Sequence, residues 1–152
     1  MDWRACRRPA VHLKIFMPLK KEEYEKLAAF RYELRKFLRF SERAAKQHGL
    51  TPQQHQALLA MEGFPGRNGV TIGELSERLQ VAAHAAVELA NRLETAGFAQ
   101  RVASEEDRRQ VYLKLTAQGR ERLGSLTELH RRELQTAGPL LIKELTRILA
   151  PE

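Results

Sequence analysis

Residues 70–119 constrain the fold of this chain most narrowly, because they set two short helical patterns, a tight turn and two strand-prone runs in a fixed order. Thr71 stands where it can cap the first helix, and Glu74 three residues on completes a capping box. Ile72, Leu75 and Leu79 give that helix one apolar stripe. After Val81 a second pattern begins, with Ala86, Leu89, Ala90 and Leu93 facing inward at helical spacing. Gly97 ends it, since glycine takes the left-handed backbone of a helix stop at little cost. So short a turn predicts a helix-turn-helix, a motif whose second helix can lie in a DNA major groove.

Residues 98–103 and 111–115 are short β-prone runs, the second setting Val111, Leu113 and Leu115 against Tyr112 and Lys114. The loop between them, Ser104-Glu105-Glu106-Asp107-Arg108-Arg109, is too charged for a core. Thr116 then opens another helix with its hydroxyl as cap. Helix, turn, helix and charged hairpin in this order make a winged helix. Leu93-Glu94-x-x-Gly97, Arg101, Asp107-Arg108-Arg109 and Leu115-Thr116-x-x-Gly119 together resemble the MarR family of bacterial transcription regulators. The resemblance reaches back to Leu50-Thr51-Pro52 and, with the long flanking helices, covers residues 22–150. It implies a mostly α fold with a small β-hairpin. A winged helix-turn-helix lobe at 50–116 would be flanked by dimerisation helices at 19–49 and 117–150, one domain over 19–150 behind an N-terminal arm at 1–18.

A chain of 152 residues suits one core, and 43% hydrophobic with 30% charged residues excludes a disordered or membrane-spanning composition. The lone cysteine, Cys6, has no internal disulfide partner, which fits a cytoplasmic setting. The net charge of +7 invites a nucleic-acid partner, but residues 50–119 hold 7 Lys and Arg against 8 Asp and Glu. DNA binding must therefore rest on where individual cations sit. No zinc-ligand spacing, phosphate loop or nucleophile elbow is present among the scattered histidines, so neither catalysis, metal nor cofactor is expected.

Residues 1–18 lack a sustained period, and Met17 offers an alternative start. Arg4, Arg7 and Arg8 near Cys6 would favour its thiolate, as a redox switch requires; an inert thiol in the arm is the competing reading. A long helix is expected over residues 20–48, its apolar stripe running through Tyr24, Leu27, Phe30, Leu34, Phe37 and Leu38. Arg31, Arg35, Arg39 and Arg43 form a second stripe, read as a solvated face or as a seat for an anion. Thr51-Pro52-Gln53-Gln54 opens the next helix, with Leu58, Leu59 and Met61 as core and His55 as a partly buried histidine. Gly138-Pro139 is expected to break the helix that starts at 117, leaving an apolar final helix of Leu141, Ile142, Leu145, Ile148 and Leu149.

On the recognition helix the outward residues are His84, Val87, Glu88, Asn91 and Thr95. His84 suits a phosphate or purine edge, Ala83 and Ala85 a thymine methyl, and Asn91 an adenine; Arg92 joins them as a candidate contact. The family often carries arginine at the Glu88 position and a serine cap where Ala82 stands, so both are departures. Glu88 can accept a hydrogen bond from cytosine, or pair with Arg92 on the helix surface. The resemblance assigns Asp107 as the brace of Arg109, leaves Arg108 freer to enter a minor groove, and has Arg101 contact backbone or hold the wing.

The resemblance further implies a homodimer on a palindromic operator, acting as a repressor. The repressor would be released from DNA by an oxidant or by a small-molecule ligand, such as a small aromatic or lipophilic acid in a pocket lined from helices one, two and five. Phe30, Phe37, Phe40, His55 and Met61 are the candidate lining, with Arg39 as carboxylate partner. The competing reading is a winged-helix protein-interaction module without DNA binding, suggested by the acidic balance of residues 50–119 and by Glu88.

Overall fold

A computed structural model describes residues 18–104, 107 and 109–150, so Cys6 and Arg108 lie outside the described residues. Helix α1 spans Lys21–Gln47 and is stopped by Gly49 at φ +72°. Helix α2, Pro52–Glu62, begins with the reciprocal cap expected of its sequence. Thr51 Oγ1 accepts from the Gln54 N–H at 3.1 Å, and Gln54 Oε1 accepts from the Thr51 N–H at 2.9 Å. Helices α3, Ile72–Leu79, and α4, Ala83–Thr95, form the helix-turn-helix. Strands β1, Ala99–Ala103, and β2, Val111–Leu115, pair antiparallel with Ala99 opposite Leu115 and Ala103 opposite Val111. Helix α5, Ala117–Leu149, closes the chain.

The core lies where α2, α3, α4 and the hairpin converge, around fully buried Leu58, Met61, Leu75, Leu93 and Leu113. Val70 bridges to Leu113 through two backbone hydrogen bonds of 3.1 and 2.7 Å, so the loop before α3 adds a short third edge to the hairpin. Gly69 makes that approach possible. Its φ is +110°, and a Cβ there would sit 2.8 Å from the Leu113 carbonyl oxygen.

Two expectations are corrected. Gly138-Pro139 does not break the chain into two helices, because α5 runs through Pro139. Proline removes a single N–H from the ladder, and the remaining helical turns carry α5 through it to Leu149. Leu59 is not core. It is 48% exposed, on the side of α2 away from the cluster that holds Leu58. The apolar residues Tyr24, Leu27 and Leu38 of α1 and Leu140, Ile142, Leu145 and Leu149 of α5 are likewise uncovered by this chain.

Candidate nucleic-acid interface and ligand groove

The helix-turn-helix is held by local hydrogen bonds that its sequence dictates. Thr71 Oγ1 accepts from the Glu74 N–H at 3.2 Å, and Glu74 Oε2 accepts from the Thr71 N–H at 2.8 Å. Gln80 takes a left-handed conformation at φ 54° to turn the chain, and Ser76 Oγ donates to the Val81 carbonyl at 2.7 Å across the same turn. Arg67, reaching from the preceding loop, bonds Glu74 and lies over the rings of Phe64 and Tyr112 at 4.4 and 4.7 Å. One guanidinium thus ties the start of α3 to β2. The Arg67–Glu74 contact holds the Glu74 carboxyl below its ordinary range against the opposing effect of burial, the largest single influence on it.

Helix α4 buries Ala86, Leu89, Ala90 and Leu93, while Ala83, His84, Val87, Glu88, Asn91, Arg92 and Thr95 are exposed. Ala85 is half-buried. Ala82, at the N-cap, makes no side-chain hydrogen bond, so the first-turn amides of α4 lack a local side-chain acceptor. The Glu88–Arg92 ion pair that the spacing allows is not formed among the described residues.

Arg101 joins the wing to this helix. Its backbone N–H donates to Glu94 Oε1 at 2.9 Å, its Nη1 pairs with Glu94 Oε2, and its Nη2 donates to Asn91 Oδ1 at 3.0 Å. Of its two expected roles, holding the wing is the one its contacts serve. Asn91, expected as an adenine reader, has its carbonyl oxygen turned to Arg101. At the hairpin end Asp107 Oδ1 accepts from the Arg109 N–H at 2.9 Å, and the Ser104 N–H donates to the Gln110 carbonyl at 2.9 Å. Asp107 therefore braces the Arg109 backbone and leaves the exposed guanidinium to extend outward.

A groove of about 510 Å³ opens between α1, α2 and α5. Of the expected ligand residues only Phe37 and His55 line it. Met61 is sealed in the core, Phe40 borders a different depression beside Arg43, Arg39 is exposed elsewhere on α1, and Phe30 lies outside the groove. What the sequence reading missed is His130. Its Nδ1 meets the Leu126 carbonyl at 2.7 Å and its Nε2 meets Ser41 Oγ at 2.8 Å. A carbonyl only accepts, so Nδ1 carries the proton and, in the neutral ring, Nε2 accepts from the serine. The His130 ring contacts His55 at 4.7 Å and meets Phe37 and Phe40 edge-on. Burial, and then His130 alongside, push His55 below its ordinary pKa. The groove's cation is Arg131, which bonds Glu128 at 2.9 and 3.2 Å; Arg131 and Arg132 hold that carboxyl down to about 2. No local signal could have paired Ser41 with His130, which are 89 residues apart.

Among the described residues no group of three or more His, Cys, Asp or Glu is placed to hold a metal ion, and no helix is long and apolar enough to cross a membrane. Residues 48–110 match the family model described as MarR family. No curated protein sequence matches the chain. Among solved structures, a MarR family protein from Bacillus stearothermophilus is similar at 24% identity, with 84% of this chain and 91% of that one covered and a TM-score of 0.66. AbsC, a MarR family transcriptional regulator from Streptomyces coelicolor, is similar at 20% identity, 90% and 95% coverage and a TM-score of 0.71. A mutant of MepR from S. aureus bound to oligodeoxyribonucleotide is similar at 20% identity, 83% and 95% coverage and a TM-score of 0.61.

Proposed function

We propose that this chain, whose residues 48–110 match the MarR family model, is a MarR-type homodimeric transcription regulator that represses from a palindromic operator. The observation that carries the reading is the division of α4. One face is sealed into the lobe, and the opposite face presents His84, Val87, Glu88 and Arg92 beside a wing held to the same helix by Arg101. A helix braced in this way can enter a major groove while Arg108 and Arg109 approach the flanking minor groove, whose negative potential attracts guanidinium. The nucleic-acid-bound MepR structure, similar in fold, supports this use of the lobe. The chain acts by binding, without a catalytic step.

The uncovered apolar residues of α1 and α5 are the surface a second copy would cover, and a two-fold dimer would set two recognition helices about one helical turn of DNA apart. A small aromatic or lipophilic acid in the groove lined by Phe37, His55, His130 and Arg131 would release the DNA. To do so it must bind the DNA-free arrangement more tightly than the DNA-bound one. The second reading, a protein-interaction module, is favoured by one feature: Glu88 is exposed and unpaired among the described residues on the face that would meet DNA.

Fluorescence anisotropy with duplexes flanking the gene, repeated across salt concentrations, separates the two readings. DNA regulation predicts nanomolar binding and a steep salt dependence. Arg108→Ala and Arg109→Ala should each weaken binding to all sequences and reduce the salt slope by about 1. Indifference to every duplex at low ionic strength would favour the interaction module.

A further inference from the structure

We propose that Glu88 sets the base preference of this protein, selecting cytosine at one position of each half-site; the inference rests on the DNA-binding reading above. The first observation is that Glu88 is exposed on the outward face of α4, one turn from His84 and beside Val87, which is 39% exposed. The second is that the carboxylate forms no ion pair among the described residues, although Arg92 stands four positions on. The third is that Asn91, another polar side chain on this face suited to reading a base, has its carbonyl oxygen engaged by Arg101. A bidentate adenine contact needs that oxygen, so reading by Asn91 competes with the bond that holds the wing.

A carboxylate carried into a groove between two rows of phosphates is repelled unless it meets a hydrogen-bond donor. In the major groove guanine presents only acceptors, N7 and O6, and thymine presents the O4 acceptor beside a methyl group. Adenine offers its N6 amino group next to the N7 acceptor, which repels the second carboxylate oxygen. Cytosine offers the N4 amino group with an acceptor on one side only, the O6 of its paired guanine, whereas adenine N6 lies between its own N7 and the paired thymine O4, so cytosine opposes Glu88 least. The same charge weakens binding to unrelated DNA. Glu88 therefore trades general affinity for discrimination, which an arginine at this position would not do.

The test is selection from a randomised duplex library with the full-length protein, followed by affinity measurements on the selected duplex and on single-base variants. The unaltered protein should disfavour loss of the selected cytosine by roughly tenfold or more. Glu88→Ala should erase that preference and bind unrelated DNA more tightly, and Glu88→Gln should move the preference to adenine, which an amide can meet with both a donor and an acceptor. A cytosine analogue lacking the N4 amino group should weaken the unaltered protein and leave Glu88→Ala unaffected. Thermal unfolding of both variants should match the parent, since the side chain is exposed. A selected site whose preferences survive both substitutions overturns the role of Glu88 and leaves the DNA-binding reading standing. No duplex binding by the unaltered protein overturns that reading and this inference with it.

Discussion

Replacing Gly119 by alanine should destabilise this protein, although alanine is the better helix former. Gly119 is the third residue of α5, where its N–H donates to the Thr116 cap at 3.1 Å. A Cβ there would lie 2.0 Å from the Phe98 carbonyl oxygen and 3.0 Å from its carbon. The first distance is far inside the ~3.5 Å at which non-bonded heavy atoms begin to attract. The obstacle is backbone, so no side chain can swing aside. The same oxygen accepts the Thr116 N–H at 3.0 Å, and Thr116 Oγ1 donates to the Gly97 carbonyl at 2.6 Å. Relieving the clash therefore pulls α5 from the end of α4 and the start of the wing, and strains both bonds. Overpacking together with one weakened buried hydrogen bond costs about 2–4 kcal/mol. For a chain of this size that lowers the unfolding temperature by about 4–16 °C. Gly124 is the internal control, because a Cβ there would meet nothing within 4 Å. Gly124→Ala should gain up to about 1 kcal/mol of helix propensity and raise the unfolding temperature by about 2–4 °C. Thermal unfolding followed by circular dichroism at one fixed protein concentration reads both, since self-association makes the midpoint concentration-dependent. Equal or higher stability of Gly119→Ala would refute the argument that the Leu-Thr-x-x-Gly motif exists to admit this close approach.

Two further outcomes are expected. His55 has a folded pKa below its ordinary 6.5, so below that value the unfolded chain takes up a proton that the folded one resists. Stability should fall as the pH drops through 6.5 toward the lower folded-state value, and His55→Gln should flatten the dependence there; an unchanged slope would remove His55 as its source. Ile142→Glu places a charge at a position 67% exposed in the single chain and inside the surface assigned to the second copy. Sedimentation should find a folded single chain in place of a dimer, and an undiminished dimer would move the interface elsewhere.

What could be read in one dimension was what depends on neighbours within a few residues. The caps at Thr51, Thr71 and Thr116, the stop at Gly97 and the exposed face of α4 all arise from groups three or four positions apart along a helix, or at its ends. The strand pairing of 99–103 with 111–115 follows from alternation and a polar loop, which are equally local. The bounds of the second strand agree with its pattern; the first begins one residue later than its β-prone run. Tertiary structure decided the rest. Pro139 lowers helix propensity wherever it occurs, yet α5 runs through it unbroken to Leu149. Leu58 and Leu59 are adjacent in sequence, and only the position of the core makes one buried and the other exposed. Arg101 meets Glu94 and Asn91, and His130 meets Ser41 and His55, through folding back of the chain. Periodicity says which way a side chain faces on its own helix. Which residue it meets there is settled only when the helices dock, and that is why the lobe was legible from sequence while the histidine-lined groove was not.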